Sequence, residues 1–306
     1  MDLILLLEQG LNGLQFGLML FLLAAGLTLV FGIMDMINLA HGSLYMIGAY
    51  LAAVVMERTG SFAIAVVVAL VGTALIGIVL EIVLLRRLYR RDHLTQVLAT
   101  FALLLIADEV VRIVFGPQAL TLNPPDALSG PVELIPGFTY SSYRLFIIAV
   151  GLIVALALYL LVTKTRVGML VRAGASNRDM ALAMGVDVNR LFTAVFGVGA
   201  ALSALAGAML GPLLAVEVGM GEGILILAFV VIVVGGIGSI RGALVGAIVV
   251  GTVDTLGRTL LPMSLRAMLP PSIASNLGPA LASILIYVLM AGVLFWRPQG
   301  LFPARG

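Results

Sequence analysis

Three polar side chains interrupt an otherwise apolar run near the start of the chain. In Gly32-Ile-Met-Asp-Met-Ile-Asn-Leu-Ala-His-Gly-Ser43, residues Asp35, Asn38 and His41 stand between two hydrophobic stretches, with Gly32 and Gly42 flanking them. Such groups are costly in a bilayer unless they face protein or water. A helix broken at membrane depth offers hydrogen-bonding groups to a passing polar solute. On that reading Asn38, His41, Ser43 and Tyr45 line or gate a route, acting sterically and by hydrogen bonding. The same residues equally fit a short cytoplasmic turn with solvated side chains, and His41 fits capping or packing as readily as a proton relay.

A second break, Gly235 to Gly246, places Gly235, Gly236, Gly238, Gly242 and Gly246 ahead of another apolar segment. Glycine at this density permits unwinding and close helix approach. Gly242 with Gly246, and Gly207 with Gly211, form small-xxx-small faces that tight packing alone also explains. Covalent chemistry finds no support in the sequence. There is no cysteine, hence no thiolate nucleophile or thiolate metal site. No G-x-x-x-x-G-K-[ST] is present, since the sole lysine, Lys164, follows Thr163, and H-E-x-x-H and G-x-S-x-G are absent. The chain is expected to be no enzyme and to carry no cofactor or metal.

The elements that hold these breaks are membrane helices. Of 306 residues 62% are hydrophobic and 10% charged, with a mean hydropathy of +1.20, whereas a soluble domain carries about 25% charged residues. Stretches near the ~20 residues that cross a bilayer run over Leu11 to Met34, Phe62 to Leu85, Val97 to Phe115, Tyr143 to Val162, Leu191 to Leu214, Gly242 to Leu261 and Pro279 to Trp296. Ser43 to Met56 and Gly223 to Gly238 are shorter. This predicts an all-α integral membrane protein, a polytopic bundle of about eight or nine transmembrane segments with broken or re-entrant helices, forming one domain over residues 1–306. The first ten residues lack a basic n-region, so the first helix is expected to serve as the chain's own insertion signal.

Charge sets the expected orientation. Twelve of the 17 basic residues fall on one side: Arg86, Arg87, Arg90 and Arg91, then Lys164, Arg166, Arg172, Arg178 and Arg190, then Arg241, Arg297 and Arg305. That side is cytoplasmic by the positive-inside rule, and the C-terminus with it. Nine of the 12 prolines lie in 116–142 and 261–279, expected as stiffened external loops. Glu81 reads as an interfacial carboxylate near Arg86. Asp108 with Arg112, and Asp254 with Arg258, have the spacing of local ion pairs. No dense basic run with interleaved aromatics is present, which argues against nucleic acid as a partner.

The inside loop 164–190 stands apart. Its core predicts a short helix over Ala173 to Met184, ended by Gly185, with Ala181, Leu182 and Met184 as apolar surface. So short a helix is marginal alone and needs something to pack on; a plain connector with a solvated charged face is the other reading.

GLTLVFGIMDMINLAHGSLYMIGAY (26–50), RAGASNRDMALAMGVDVNRLFTAVFGVGAALSALAGAM (172–209), GGIGSIRGALVGA (235–247) and RPQGLF (297–302) resemble, in order, bacterial branched-chain amino acid ABC transporter permeases of the LivH type. The resemblance implies a subunit of the bacterial inner membrane, paired with a second homologous permease, two cytoplasmic ABC ATPases that bind ATP and Mg, and a periplasmic substrate-binding protein. It also implies that Arg172, Ala173, Asn177, Ala181 and Gly185 belong to a coupling helix docking on an ATPase. Relatives are associated with leucine, isoleucine and valine, and also with urea or short amides. The rival, a self-sufficient secondary transporter or channel for small polar solutes, needs intramembrane carboxylates for ion coupling, and those here read as interfacial.

Overall fold

The computed structural model describes residues 3–89, 91–176, 178–267 and 269–303. Its elements in chain order are α1 (Leu3–Met34), α2 (His41–Thr59), α3 (Phe62–Leu80), a π-helical turn (Glu81–Leu85), a short α4 (Arg86–Leu88), α5 (His93–Phe115), β1 (Pro131–Ile135), β2 (Phe138–Ser141), α6 (Ser142–Lys164), α7 (Arg166–Ser176), α8 (Arg178–Ala183), α9 (Val188–Leu210), α10 (Met220–Gly235), α11 (Ile240–Arg266) and α12 (Pro271–Trp296). Polar caps set several starts. The side chains of Ser61, Asp92, Asp187 and Ser239 accept backbone N–H groups of the first turns of α3, α5, α9 and α11, satisfying donors that have no intrahelical partner.

Among the described residues six helices are long and apolar enough to cross a membrane: Leu3–Met34, Phe62–Leu88, Ser142–Lys164, Val188–Leu210, Ile240–Arg266 and Ser272–Trp296. Ile64, Val67, Val71, Leu75 and Val79 project outward from α3, and Ile153 and Leu156 from α6. A bare apolar surface of this extent is untenable in water and fits lipid. The chain is a multi-pass, predominantly helical membrane protein.

The helices gather into two compact units. One comprises Met1–Phe21, Asp126–Leu152 and Leu227–Gly306. Within it α11 packs along α12, and a Cβ on Gly13 or Gly17 would lie 2.8 Å from Thr252 Cα or 2.7 Å from the Ala247 carbonyl. The other comprises Leu22–Pro125 and Ile153–Ile226, where α2, α3 and α9 pack mutually.

Two loop expectations change. The stretch 261–279, read as an irregular external loop, is mostly helical: α11 continues to Arg266 and α12 begins at Pro271. Pro271 stands at the first helical position, where a missing N–H costs nothing. The ring of Pro262 inside α11 abuts α12, since a Cβ on Gly278 would collide with Pro262 Cγ. The stretch 116–142 remains non-helical but contains an antiparallel hairpin, pairing Val132 with Tyr140 and Glu133 with Thr139. Pro136-Gly137 supplies the turn, with Gly137 at φ 83°. The hairpin was not foreseen.

Candidate functional site

Residues 35–40 break the chain between α1 and α2, as the sequence suggested. Asp35 ends α1 in the left-handed region (φ 50°) and is exposed. The groups after it are not solvated. Asn38 and His41 are 0% exposed, Tyr45 1% and Ser43 4%. The Asn38 side chain accepts the Ala40 N–H at 3.1 Å, turning the chain into α2. Thr100 of α5 reaches the same turn through the Ile37 carbonyl at 3.4 Å. His41 Nε2 lies 2.8 Å from the Ser203 hydroxyl of α9, which donates to the Gly199 carbonyl at 3.0 Å. That arrangement fits the tautomer with hydrogen on Nε2.

Space for the imidazole comes from absent side chains. A Cβ on Gly26 would lie 2.9 Å from His41 Nε2 and 2.8 Å from the Gly199 carbonyl. Farther along, Gly207 leaves room for the α2 backbone at Tyr45, and Gly42 approaches the Gly221 carbonyl to within 2.5 Å of an added Cβ. The small residues of α9 therefore hold α2 close. Gly32 lies in the last turn of α1. Asn38 Nδ2 and Ser43 Oγ have no hydrogen-bond partner among the described residues.

The second break is built differently. α10 ends at Gly235, Gly236 (φ 110°) and Gly238 (φ 79°) carry the turn, and Ser239 caps α11 by accepting the Gly242 N–H at 3.1 Å. Gly246 and Gly242 lie against the backbones of Val231 and Gly235, so the small-xxx-small face joins α10 to α11. The RPQGLF segment completes it. Leu301 and Phe302 donate their backbone N–H groups to the Val234 and Gly235 carbonyls, both at 2.9 Å. Two sequence motifs about 60 residues apart thus make one structure, in which a turn over 297–300 and the residues after it cap the end of α10.

The loop 164–190 is helical but begins earlier than expected, as α7 from Arg166 followed by α8. Gly185 adopts φ 84°; its N–H bonds to the Leu182 carbonyl and that of Val186 to the Ala181 carbonyl, both at 3.0 Å. This is a Schellman end, as a glycine there implied. Arg172 and Ala173 are exposed, while Asn177 lies outside the described residues. Ala181, expected on a docking surface, is 5% exposed and faces its own chain. Met180, Leu182 and Met184 point outward from α8 and the turn after it, as Val167, Met169 and Leu170 do from α7.

Glu81 pairs with Arg86, near which the sequence placed it, but the carboxylate is enclosed by its own chain, at 0% exposure. Arg86 donates to it through Nε at 3.3 Å and Nη2 at 3.1 Å, the Tyr89 hydroxyl at 2.8 Å and the Thr193 hydroxyl at 2.7 Å. A π turn makes this possible, because Arg86 lies five residues on, beyond ordinary helical pairing. Asp254 pairs with Arg258 at 2.8 Å as expected, but Arg112 pairs with Glu109 at 3.1 Å instead of Asp108.

No solved structure matches the chain. Among curated proteins it is 31% identical over 269 residues to the high-affinity branched-chain amino acid transport system permease protein BraD of Pseudomonas aeruginosa, covering 82% of this chain and 86% of that one. To the permease proteins LivH of Salmonella typhimurium and Escherichia coli it is 31% and 30% identical over 271 residues, covering 83% of this chain and 87% of each of theirs. The family model described as branched-chain amino acid transport system, permease component, matches residues 10–294. With six helices among the described residues long and apolar enough to cross a membrane, and a family match over residues 10–294, the chain belongs to the family of permease components of branched-chain amino acid transport systems.

Proposed function

We propose that this chain is the membrane subunit of an ABC importer that carries branched-chain or related hydrophobic amino acids across the bacterial inner membrane. It works with a second homologous permease and a periplasmic binding protein, while two cytoplasmic ATPases hold ATP and Mg. The family match over residues 10–294 carries this reading. α2, α5 and α10 join the six candidate spans to complete about nine segments, with loop 164–190 and the C-terminus in the cytoplasm and hairpin 131–141 outside. The 12 basic residues of the inside loops support that orientation.

Two sites divide the work. Asn38, His41, Ser43 and Tyr45 belong to the route, supported by polar groups buried at a helix break with Asn38 Nδ2 and Ser43 Oγ unpaired. α7 and α8, with Met180, Leu182 and Met184 outward, meet the ATPase. ATP binding there displaces α7 and α8 and rocks the helices beyond them. In proteoliposomes holding the full assembly, Asn38→Leu retains the ATPases and abolishes uptake, whereas Met184→Glu loses ATPase co-purification. A Met184→Glu assembly that co-purifies and transports normally refutes the docking assignment.

A further inference from the structure

We propose that Glu81 is the joint through which movement of the α7–α8 segment reaches α3, with the π turn after it as the compliant element. The inference rests on the importer reading above and adds a positioning residue to it. The chain of connections is short. α8 ends close to Gly185, and Asp187, two residues later, caps α9 and pairs with Arg190 at 2.9 Å. Thr193 lies in the second turn of α9, and its hydroxyl stands 2.7 Å from Glu81 Oε2 and 2.8 Å from Arg86 Nη2. Phe192 beside it meets the Tyr89 ring edge-on at 5.4 Å. A displacement of α7 and α8 therefore moves the first turns of α9, and the carboxylate carries that motion to α3.

The π turn supplies the give in this linkage. Arg86 donates its backbone N–H to the Glu81 carbonyl as well as to that of Leu84. A π turn holds one residue more than an α turn and recurs at functional sites. It can take up a shift of α4 relative to α3 without breaking the continuous span Phe62–Leu88. A plain fold staple requires neither a buried carboxylate nor an irregular turn at the same place. Both occur here, on the side of the bilayer where α7 and α8 lie in the proposed orientation.

The test uses the complete assembly in proteoliposomes, with loaded binding protein. Glu81→Gln keeps the size and several hydrogen bonds but removes the charge. The expected result is normal co-purification of the ATPases and normal basal hydrolysis. Substrate imported per ATP should fall about tenfold, the factor that loss of one charge-assisted hydrogen bond carries. Thr193→Val, which removes only the hydroxyl contact, should fall in the same direction. A structural role alone would lower the yield of assembly and leave the ratio of uptake to hydrolysis unchanged. Ratios within about twofold of the unmodified assembly in both variants, or failure of both to assemble, overturn the proposal. The Met184→Glu assembly, scored separately for ATPase co-purification, reports on the importer reading itself.

Discussion

A Cβ added at Gly77 of α3 would lie 2.7 Å from Ala200 Cβ of α9, with Phe196 Cε1 and Cδ1 next at 3.4 and 3.5 Å. Carbon atoms in contact prefer about 3.5–4.0 Å, so Gly77→Ala is short of room by about 1 Å against one methyl group. The helix itself gains about 0.5–1 kcal/mol from the exchange, and overpacking costs about 1–3 kcal/mol. The net expectation is a loss of about 1 kcal/mol. Ala200→Gly loses about 1 kcal/mol of helix propensity and about 0.8 kcal/mol of burial. In the double variant the methyl has crossed the interface, the clash is gone and the propensities cancel. It should lie near the parent protein, recovering about 2–3 kcal/mol relative to the sum of the single changes. Unfolding in mixed micelles by detergent titration measures all four corners of the cycle. Additivity within about 0.5 kcal/mol would sink the packing argument. Glu81 lies one turn beyond Gly77, and Thr193 seven residues before Ala200. Gly77→Ala alone should therefore also impair coupling, and the double variant should restore it.

Two other tests probe caps. Gly236→Ala forces a left-handed residue at φ 110° and sets a Cβ 2.6 Å from the Phe302 carbonyl, so it should expel the 297–302 segment and cost about 1–3 kcal/mol; hydrogen exchange at the Leu301 and Phe302 N–H groups, which bond to α10 in the parent, reads the release, and unchanged exchange rates contradict it. Asp92 accepts the Thr95 hydroxyl at 2.7 Å and the Thr95 N–H at 3.0 Å, bonds that hold its carboxyl below the usual carboxylate range. Because the folded value is depressed, the stabilisation is full above the unfolded carboxylate pKa and disappears as pH falls through the folded one. Asp92→Ala should therefore lower thermal stability at neutral pH and converge with the parent at strongly acid pH, and a difference that persists in acid argues against the cap.

Sustained apolarity made the six candidate spans legible: lipid demands it of the outward faces of α3, α6 and α12, and the protein interior demands it of the mostly buried α1 and α9. Gly185 was legible because helix ends favour a residue that tolerates positive φ. The breaks were legible as places, though not as environments. Sequence spacing does not reveal that Asn38 and His41 are fully buried, or that His41 is enclosed by Gly26, Gly199 and Ser203, the last two from more than 150 residues downstream. Ala181 was misplaced because a small apolar residue suits a docking face and a packed one equally. Proline misled at 261–279, where Pro262 and Pro279 are carried inside helices and Pro271 starts one. For Glu81 the neighbour Arg86 was legible, but the π turn and the contact with Thr193, 112 residues away, were not.

The capping of α10 by residues 301 and 302 bears on biogenesis. Translation at about 5–20 residues per second delivers Phe302 about 3–13 s after Gly235. Throughout that interval the Val234 and Gly235 carbonyls lack their final partners and depend on water or on insertion machinery. The unit built from Leu22–Pro125 and Ile153–Ile226 has no such delay, because all of its chain has already been synthesised. Maturation thus runs in a fixed order, and a ribosome that stalls before Arg297 releases a chain with an open helix end, a mark by which a membrane protease can tell an unfinished copy from a finished one.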